Sequence, residues 1–180
     1  MKTNKFIFDV DGTLTPSRGR IDPDFAVWFS HFCNANDVYL VTGSDRPKTV
    51  EQIGQYIYCA CKRVYNCSGN DVYEGDLKVR EKNWILPEDA HEWLSEELTT
   101  SGFYKRTGLH FEHRPGMVNF SIVGRNANAQ ERAEYVKWDT EFNERDLIAW
   151  NFNLKFPELK ARPGGETGID IAPTGWDKSQ

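Results

Sequence analysis

The first third of the chain alternates short apolar runs with amphipathic stretches. Residues 5–10, 38–41 and 63–67 are apolar enough to be strands buried on both faces of a parallel sheet. Asp22 followed by Pro23 is a helix-start signal, and the residues after it repeat at helical spacing: Phe25, Trp28, Phe29 and Phe32. Strands separated by helices predict right-handed β-α-β units.

A second helix is predicted behind the second strand. Ser44 or Asp45 can cap it, and the positions that form its apolar side are Val50, Ile53 and Ile57. The fold class of this part of the chain is therefore α/β, with a parallel sheet.

The middle of the chain has a different pattern. It predicts a hairpin at 72–77, helices at 88–98, 129–142 and 144–156, and short strands at 109–114, 117–123, 159–162 and 168–172. Antiparallel strands with helices on one face indicate an α+β module inserted into the α/β core. We place the module at 77–172 and the core at 1–76 and 173–180.

Composition limits the function classes. The 180 residues are 39% hydrophobic with a formal net charge of −5, which argues against binding to nucleic acid or to an anionic membrane surface. Neither a signal peptide nor a transmembrane stretch is recognisable, so we expect a cytoplasmic protein. The four cysteines lack zinc-site spacing and are expected to be reduced thiols: Cys33, Cys59, Cys61 and Cys67.

Two carboxylates follow the first strand directly. Asp9 and Asp11 are separated by one residue and precede Gly12 and Thr13. At a strand end, Asp9 could attack phosphorus and carry the phosphoryl group as an acyl phosphate. Asp11 could then protonate the leaving oxygen and later activate the acceptor. The structural alternative is a capped loop with solvated carboxylates.

Further candidates lie at the second strand end and near residue 180. Thr42, Gly43 and Ser44 combine hydroxyls and amides at a helix start, which predicts a phosphate site or a plain N-cap. Lys178 could neutralise transferred charge beside Asp9, or could be an exposed lysine.

A cluster of arginines marks the middle module. Arg114, Arg125 and Arg132 fall around one strand-turn-strand-helix unit. The planar guanidinium group matches phosphate oxygens, so these residues predict an anion pocket. Scattered surface charge is the alternative.

Together these motifs resemble the haloacid dehalogenase superfamily of phosphotransferases, and within it the eukaryotic-type phosphomannomutases. Segment 9–16 resembles the nucleophile motif, 116–125 and 130–132 resemble the cap, and 170–178 resembles the return to the core. The resemblance implies a Rossmann-like core with an inserted cap. It also implies Asp9 as nucleophile, Asp11 as acid and base, and Thr42 and Lys178 as the remaining catalytic residues.

The resemblance also implies ligands. Mg²⁺ would be held by Asp9 and by the carbonyl of Asp11. A sugar phosphate would be bound by residues on the cap and near the first strand: Arg18, Arg114, Arg125, Arg132 and Asp170. The implied reaction interconverts hexose 1- and 6-phosphates and needs a sugar bisphosphate activator such as glucose 1,6-bisphosphate. A homodimer through the caps is a further expectation.

Some positions depart from the family pattern. Thr42 replaces a Gly of the mutases and Gly168 replaces a ligand-contacting Ser, which leaves a sugar-phosphate phosphatase open. The family continues beyond the lysine with a G-D…N-D motif that supplies metal-binding carboxylates, whereas this chain ends two residues after Lys178. We therefore expect a truncated reading frame, a naturally short protein that self-associates, or an inactive homologue that binds sugar phosphate.

Overall fold

The computed structural model describes residues 4–16 and 19–179. The chain divides into two compact units, residues 1–83 with 176–180 and residues 84–175. The sequence places these junctions at 76/77 and 172/173 instead. The first junction differs because the strand at 77–81 pairs within the sheet of the first unit.

The first unit contains a five-stranded sheet in the order β1-β2-β3-β4-β5. Its strands are β1 (Lys5–Phe8), β2 (Asp37–Val41), β3 (Arg63–Asn66), β4 (Asp71–Glu74) and β5 (Leu77–Glu81). The first three are parallel, as predicted, and the hairpin of β4 and β5 adds two antiparallel strands. Among the described residues β1 pairs only with β2, so it lies at an edge of this sheet.

Three helices connect the parallel strands: α1 (Pro23–Ala35), α2 (Arg46–Ile53) and α3 (Gln55–Ala60). The carboxylate of Asp22 accepts from the amide of Phe25 at 3.0 Å and caps α1. Asp45, rather than Ser44, caps α2 through the amide of Lys48 at 3.1 Å. Each cap satisfies an amide that has no partner within its helix.

Two expectations for these helices were wrong. Gly54, with φ of 81°, separates α2 from α3 where a single helix was predicted. Trp28 was assigned to the apolar face of α1, yet it is 57% exposed and stacks on Phe25 and Phe32 at its border. Phe29 and Cys33 instead define the buried face of α1.

The second unit packs helices on an antiparallel sheet, as predicted. Its strands are β6 (Phe111–Arg114), β7 (Met117–Phe120), β8 (Leu159–Gly164) and β9 (Gly168–Pro173), in the order β6-β7-β9-β8. Its helices are α4 (Glu88–Thr100), α5 (Ala129–Phe142) and α6 (Glu144–Lys155). Together with the first unit, this confirms the predicted α/β core and α+β module.

The sheet of the second unit has one apolar and one polar face. Side chains alternate between faces along a strand, and the apolar set, Val118, Phe120, Ile169 and Ile171, is buried in the core. The residues between them point to the other side. There the register aligns one row of polar residues across all four strands: Glu112, Asn119, Asp170 and Arg162.

Two further observations concern compartment and redox state. Within the described part of the chain, no helix has both the length and the apolar character needed to cross a membrane. All four cysteines are free thiols, and Cys59 alone among them is exposed.

Candidate active site

The candidate nucleophile lies at the end of β1 and contacts the candidate lysine. Nζ of Lys178 lies 2.8 Å from Oδ2 of Asp9, and the amide of Val10 donates to Oδ1 of Asp9 at 2.8 Å. The two side chains are 44% and 42% exposed, so both remain accessible to a ligand. The structure thus brings together residues that are 169 positions apart in the sequence.

Both carboxylate oxygens of Asp11 accept hydrogen bonds from side chains. The hydroxyl of Ser44 donates to Oδ2 at 3.2 Å, and the side-chain amide of Gln52 donates to Oδ1 at 2.8 Å. A turn through Gly12, with φ of 77°, reverses the chain here, and the same Gln52 amide reaches Thr15 at 3.3 Å. These bonds fix the orientation of the carboxyl group relative to β2 and α2.

The segment after β2 is buried and internally bonded. Thr42 is 1% exposed and Ser44 is 4% exposed. The amide of Ser44 donates to Oγ1 of Thr42 at 3.1 Å, while the Ser44 hydroxyl is engaged by Asp11. The hydroxyls predicted to form a phosphate site therefore lie beside the candidate acid and base, with Gly43 between them.

A strained turn at 67–69 fixes this segment. Cys67, Ser68 and Gly69 have φ values of 48°, 58° and 92°, a left-handed backbone that costs about 1–3 kcal/mol for each non-glycine residue. The amides of Cys67 and Ser68 donate to the carbonyls of Ser44 and Thr42 at 2.9 and 2.8 Å. The turn therefore joins the end of β3 to the end of β2.

The oxygen atoms near Asp9 and Asp11 are of the type that binds Mg²⁺. The Asp9 carboxylate and the Asp11 carbonyl are hard oxygen ligands, which Mg²⁺ prefers. Across residues 4–16 and 19–179, however, no group of three or more His, Cys, Asp or Glu side chains is placed to hold a metal ion. The two aspartates could thus supply part of an octahedral site.

In the second unit, Glu112 lies between two of the candidate arginines. Its carboxylate accepts from Arg114 at 2.9 Å, and its other oxygen accepts from Nε of Arg125. Burial alone would raise the pKa of Glu112, but the two guanidinium groups outweigh burial and hold that pKa below its ordinary value. The side chains of Arg114 and Arg125 are only 8% and 14% exposed, so these pairs are largely sheltered from water.

The other candidate residues of this unit also have partners. Arg132, on α5, contacts Glu166 in the turn between β8 and β9 at 2.5 Å. Asp170, on β9, accepts from the side-chain amide of Asn119 at 2.6 Å. The remaining candidate, Arg18, lies outside the described residues.

Gly168 lies next to the Asn119 side chain. A Cβ atom at Gly168 would approach Nδ2 and Oδ1 of Asn119 to 2.5 and 2.7 Å, closer than real contacts allow. Oδ1 of Asn119 is buried and has no hydrogen-bond partner among the described residues. The glycine therefore permits this position of the Asn119 side chain.

Sequence reasoning missed several residues of both sites, namely Gln52, Glu112, Asn119 and Glu166. A polar residue beside Ile53 on the inner side of α2 was a usable signal for Gln52. Alternation along β6 could have placed Glu112 on the same face as Arg114. Nothing in the local sequence relates Asn119 to Asp170, because their contact depends on the pairing of β7 with β9.

Comparison with known proteins identifies the class and then the family. The fold is that of haloacid dehalogenase-like proteins: a haloacid dehalogenase-like hydrolase from Bacteroides thetaiotaomicron superposes with a TM-score of 0.59 at 12% identity, over 99% of this chain and 74% of that one. The family model for eukaryotic phosphomannomutase matches residues 28–180. This chain belongs to that family.

The curated relatives of this chain support the same family. The phosphomannomutase of Saccharomyces cerevisiae is 30% identical over 96% of this chain and 71% of its own length. Phosphomannomutase 1 of Homo sapiens is 30% identical over 96% of this chain and 70% of its own length. The suspected resemblance is thus confirmed.

Proposed function

We propose that this chain is a phosphomannomutase-like phosphotransferase that interconverts hexose 1- and 6-phosphates through a phosphoryl group carried on Asp9. The observation that supports this most directly is the 2.8 Å contact between Lys178 and Asp9 at the end of β1, in a chain of the phosphomannomutase family. A carboxylate nucleophile needs a neighbouring cation because charge accumulates when phosphate approaches it.

The proposed reaction has two halves. First, an Asp9 carboxylate oxygen attacks phosphorus, the ester P–O bond breaks, and Asp11 gives a proton to the leaving sugar oxygen. An acyl phosphate then remains on Asp9. In the second half, a sugar hydroxyl oxygen attacks that phosphorus, its proton passes to Asp11, and the Asp9 carboxylate is regenerated. Lys178 stabilises the charge on the transferred oxygens in both halves.

The remaining candidate residues of the first unit would bind the phosphoryl group and position the catalytic side chains. Thr42, Gly43 and Ser44 would contact the transferred phosphoryl group, and Ser44 also orients Asp11 through its hydroxyl. Asp9 and the carbonyl of Asp11 would hold Mg²⁺, which supplies charge neutralisation on the phosphoryl group when it is bound.

The second unit would bind the sugar phosphate through charge and hydrogen bonds. Its proposed ligand-binding residues are Arg114, Arg125, Arg132 and Asp170, with Arg18 as a further candidate from the sequence. A sugar bisphosphate activator, a homodimer through the second unit and a cytoplasmic location belong to the same proposal. The family and the sheltered guanidinium groups support it.

The test measures isomerisation of mannose 1-phosphate with and without glucose 1,6-bisphosphate, alongside release of inorganic phosphate. We expect isomerisation that depends on the bisphosphate and is abolished by Asp9→Asn. Asp37→Asn removes an aspartate that pairs with Lys62 elsewhere in the first unit, and it should leave the rate unchanged. Full activity in Asp9→Asn would contradict the acyl-phosphate mechanism.

A sugar-phosphate phosphatase is the second candidate. The buried Thr42 hydroxyl and the glycine at position 168 favour it, since the resemblance places Gly and Ser there in the mutases. Steady phosphate release from hexose phosphates without isomerisation would establish the phosphatase and exclude the mutase.

A further inference from the structure

The guanidinium of Arg132 is occupied by a carboxylate of this chain. Nη2 of Arg132 lies 2.5 Å from Oε2 of Glu166, and the two side chains are 16% and 54% exposed. The cation is thus mostly buried, whereas the anion that contacts it is open to water. An exposed carboxylate can leave a buried guanidinium without much other change in the structure.

The backbone on either side of Glu166 is fixed. Nη1 of Arg145 donates to the carbonyls of Gly165 and Gly168 at 3.0 and 3.3 Å. Nε of Arg145 in turn donates to Asp139 on α5 at 2.7 Å. Because Arg145 ties the turn to α5, the Glu166 side chain is the part of this turn that can move away from Arg132.

Glu166 and an incoming phosphate would compete for the same donor. Carboxylate and phosphate oxygens both accept charge-assisted hydrogen bonds from a guanidinium group. An anion that binds Nη2 of Arg132 must therefore displace Oε2 of Glu166. Glu112 differs, because it is 32% exposed and is shared by two arginines.

We propose that Glu166 is a tethered competitor that occupies Arg132 until a phosphate monoester displaces it, and so lowers the affinity of the second unit for its anionic ligand. The identity of that ligand as a sugar phosphate rests on the proposed function. An ion pair whose carboxylate is open to water contributes up to about 1 kcal/mol, which corresponds to about a fivefold change in affinity. Glu166 therefore tunes binding and does not prevent it.

The experiment measures the affinity of the full chain for inorganic phosphate and for mannose 1-phosphate by calorimetry. Glu166→Gln keeps the shape of the side chain and removes its charge, and we expect about threefold to fivefold tighter binding of both probes. Glu158→Gln makes the same change in net charge at an exposed position before β8, and it should alter affinity by less than about 1.5-fold.

A double-mutant cycle identifies the cation involved. If Glu166 acts through Arg132, Glu166→Gln should give no gain in a chain that already carries Arg132→Gln. Unchanged or weaker binding in Glu166→Gln, a gain matched by Glu158→Gln, or a gain that persists without Arg132 would each overturn the inference. Circular dichroism confirms that all four variants are folded.

Failure of this inference is distinguishable from failure of the proposed function. Inorganic phosphate reports on the anion site without turnover. If phosphate affinity changes as predicted but the chain isomerises no hexose phosphate, the proposed function is wrong and the role of Glu166 stands. If the chain isomerises hexose phosphates normally but phosphate affinity does not depend on Glu166, the role of Glu166 is wrong and the proposed function stands.

Discussion

The hydroxyl of Ser44 donates a hydrogen bond of 3.2 Å to Oδ2 of Asp11, 33 positions earlier in the sequence. This bond joins the loop after β1 to the loop after β2. The candidate acid and base is therefore oriented by a residue on another strand end, and its geometry depends on the parallel pairing of β1 with β2.

Replacing Ser44 with Ala should lower kcat strongly and the free energy of unfolding only modestly. The change leaves one oxygen of Asp11 without its donor, and we expect about a tenfold loss of kcat with a loss of about 1–2 kcal/mol in the free energy of unfolding. Steady-state kinetics and urea denaturation measure the two effects. Ser30→Ala removes a hydroxyl that donates to the carbonyl of Val27 within α1, and its kcat should equal that of the wild type.

Lys178→Met tests the cation beside the nucleophile. Loss of a charge aimed at the transferred phosphoryl group should reduce kcat by about 100-fold or more. Stability should change by less than about 1 kcal/mol, because the ion pair is two-fifths exposed. Lys62→Met removes a comparable exposed pair with Asp37 and should retain activity. Equal kinetics in both variants would show that Lys178 is a surface lysine.

Gly168→Ser tests the close approach to Asn119. The new Cβ would lie 2.5 Å from Nδ2 of Asn119, so the side chain or the backbone must shift. We expect a loss of about 1–3 kcal/mol in the free energy of unfolding, measured by urea denaturation. In a chain that carries Asn119→Ala, the same substitution should lower the free energy of unfolding by much less. An equal cost in both backgrounds would rule out this contact as the cause.

The pH dependence of the stability of Glu112→Gln tests the role of the negative charge that lies between two arginines. The pKa of Glu112 is lowered in the folded chain from its ordinary value of 4.5, so its ionisation stabilises the fold above that pH. That contribution should be lost as the pH falls through the folded value. The difference in unfolding free energy between wild type and Glu112→Gln should therefore shrink from about pH 5 to about pH 3. Parallel curves over this range would contradict the account.

The sequence predicted the fold well where local patterns are strong. The charged helix predicted at 129–142 matches α5 residue for residue, and the capping box that begins it, formed by Asn128 and Glu131, is a local feature. The break at Gly54 and the exposure of Trp28 were missed. Both depend on how α1, α2 and α3 pack against the sheet, which the spacing of apolar residues does not encode.

The sequence predicted which residues form the candidate site better than it predicted the contacts between them. Asp9, Asp11 and Lys178 were identified from motifs, and the contact between Asp9 and Lys178 agrees with that interpretation without testing their roles. The carboxylates Glu112 and Glu166 were not identified, although they contact three of the candidate arginines. Such contacts arise from strand register and turn geometry, and these are properties of the folded chain.

The sheet of the second unit separates its core residues from a row of polar residues by simple alternation. Val118 and Ile169 lie in the core, while their neighbours Asn119 and Asp170 hydrogen-bond to each other on the opposite side of the sheet. Substitutions that alter the core and substitutions that alter the polar row therefore fall on different codons of the same strands.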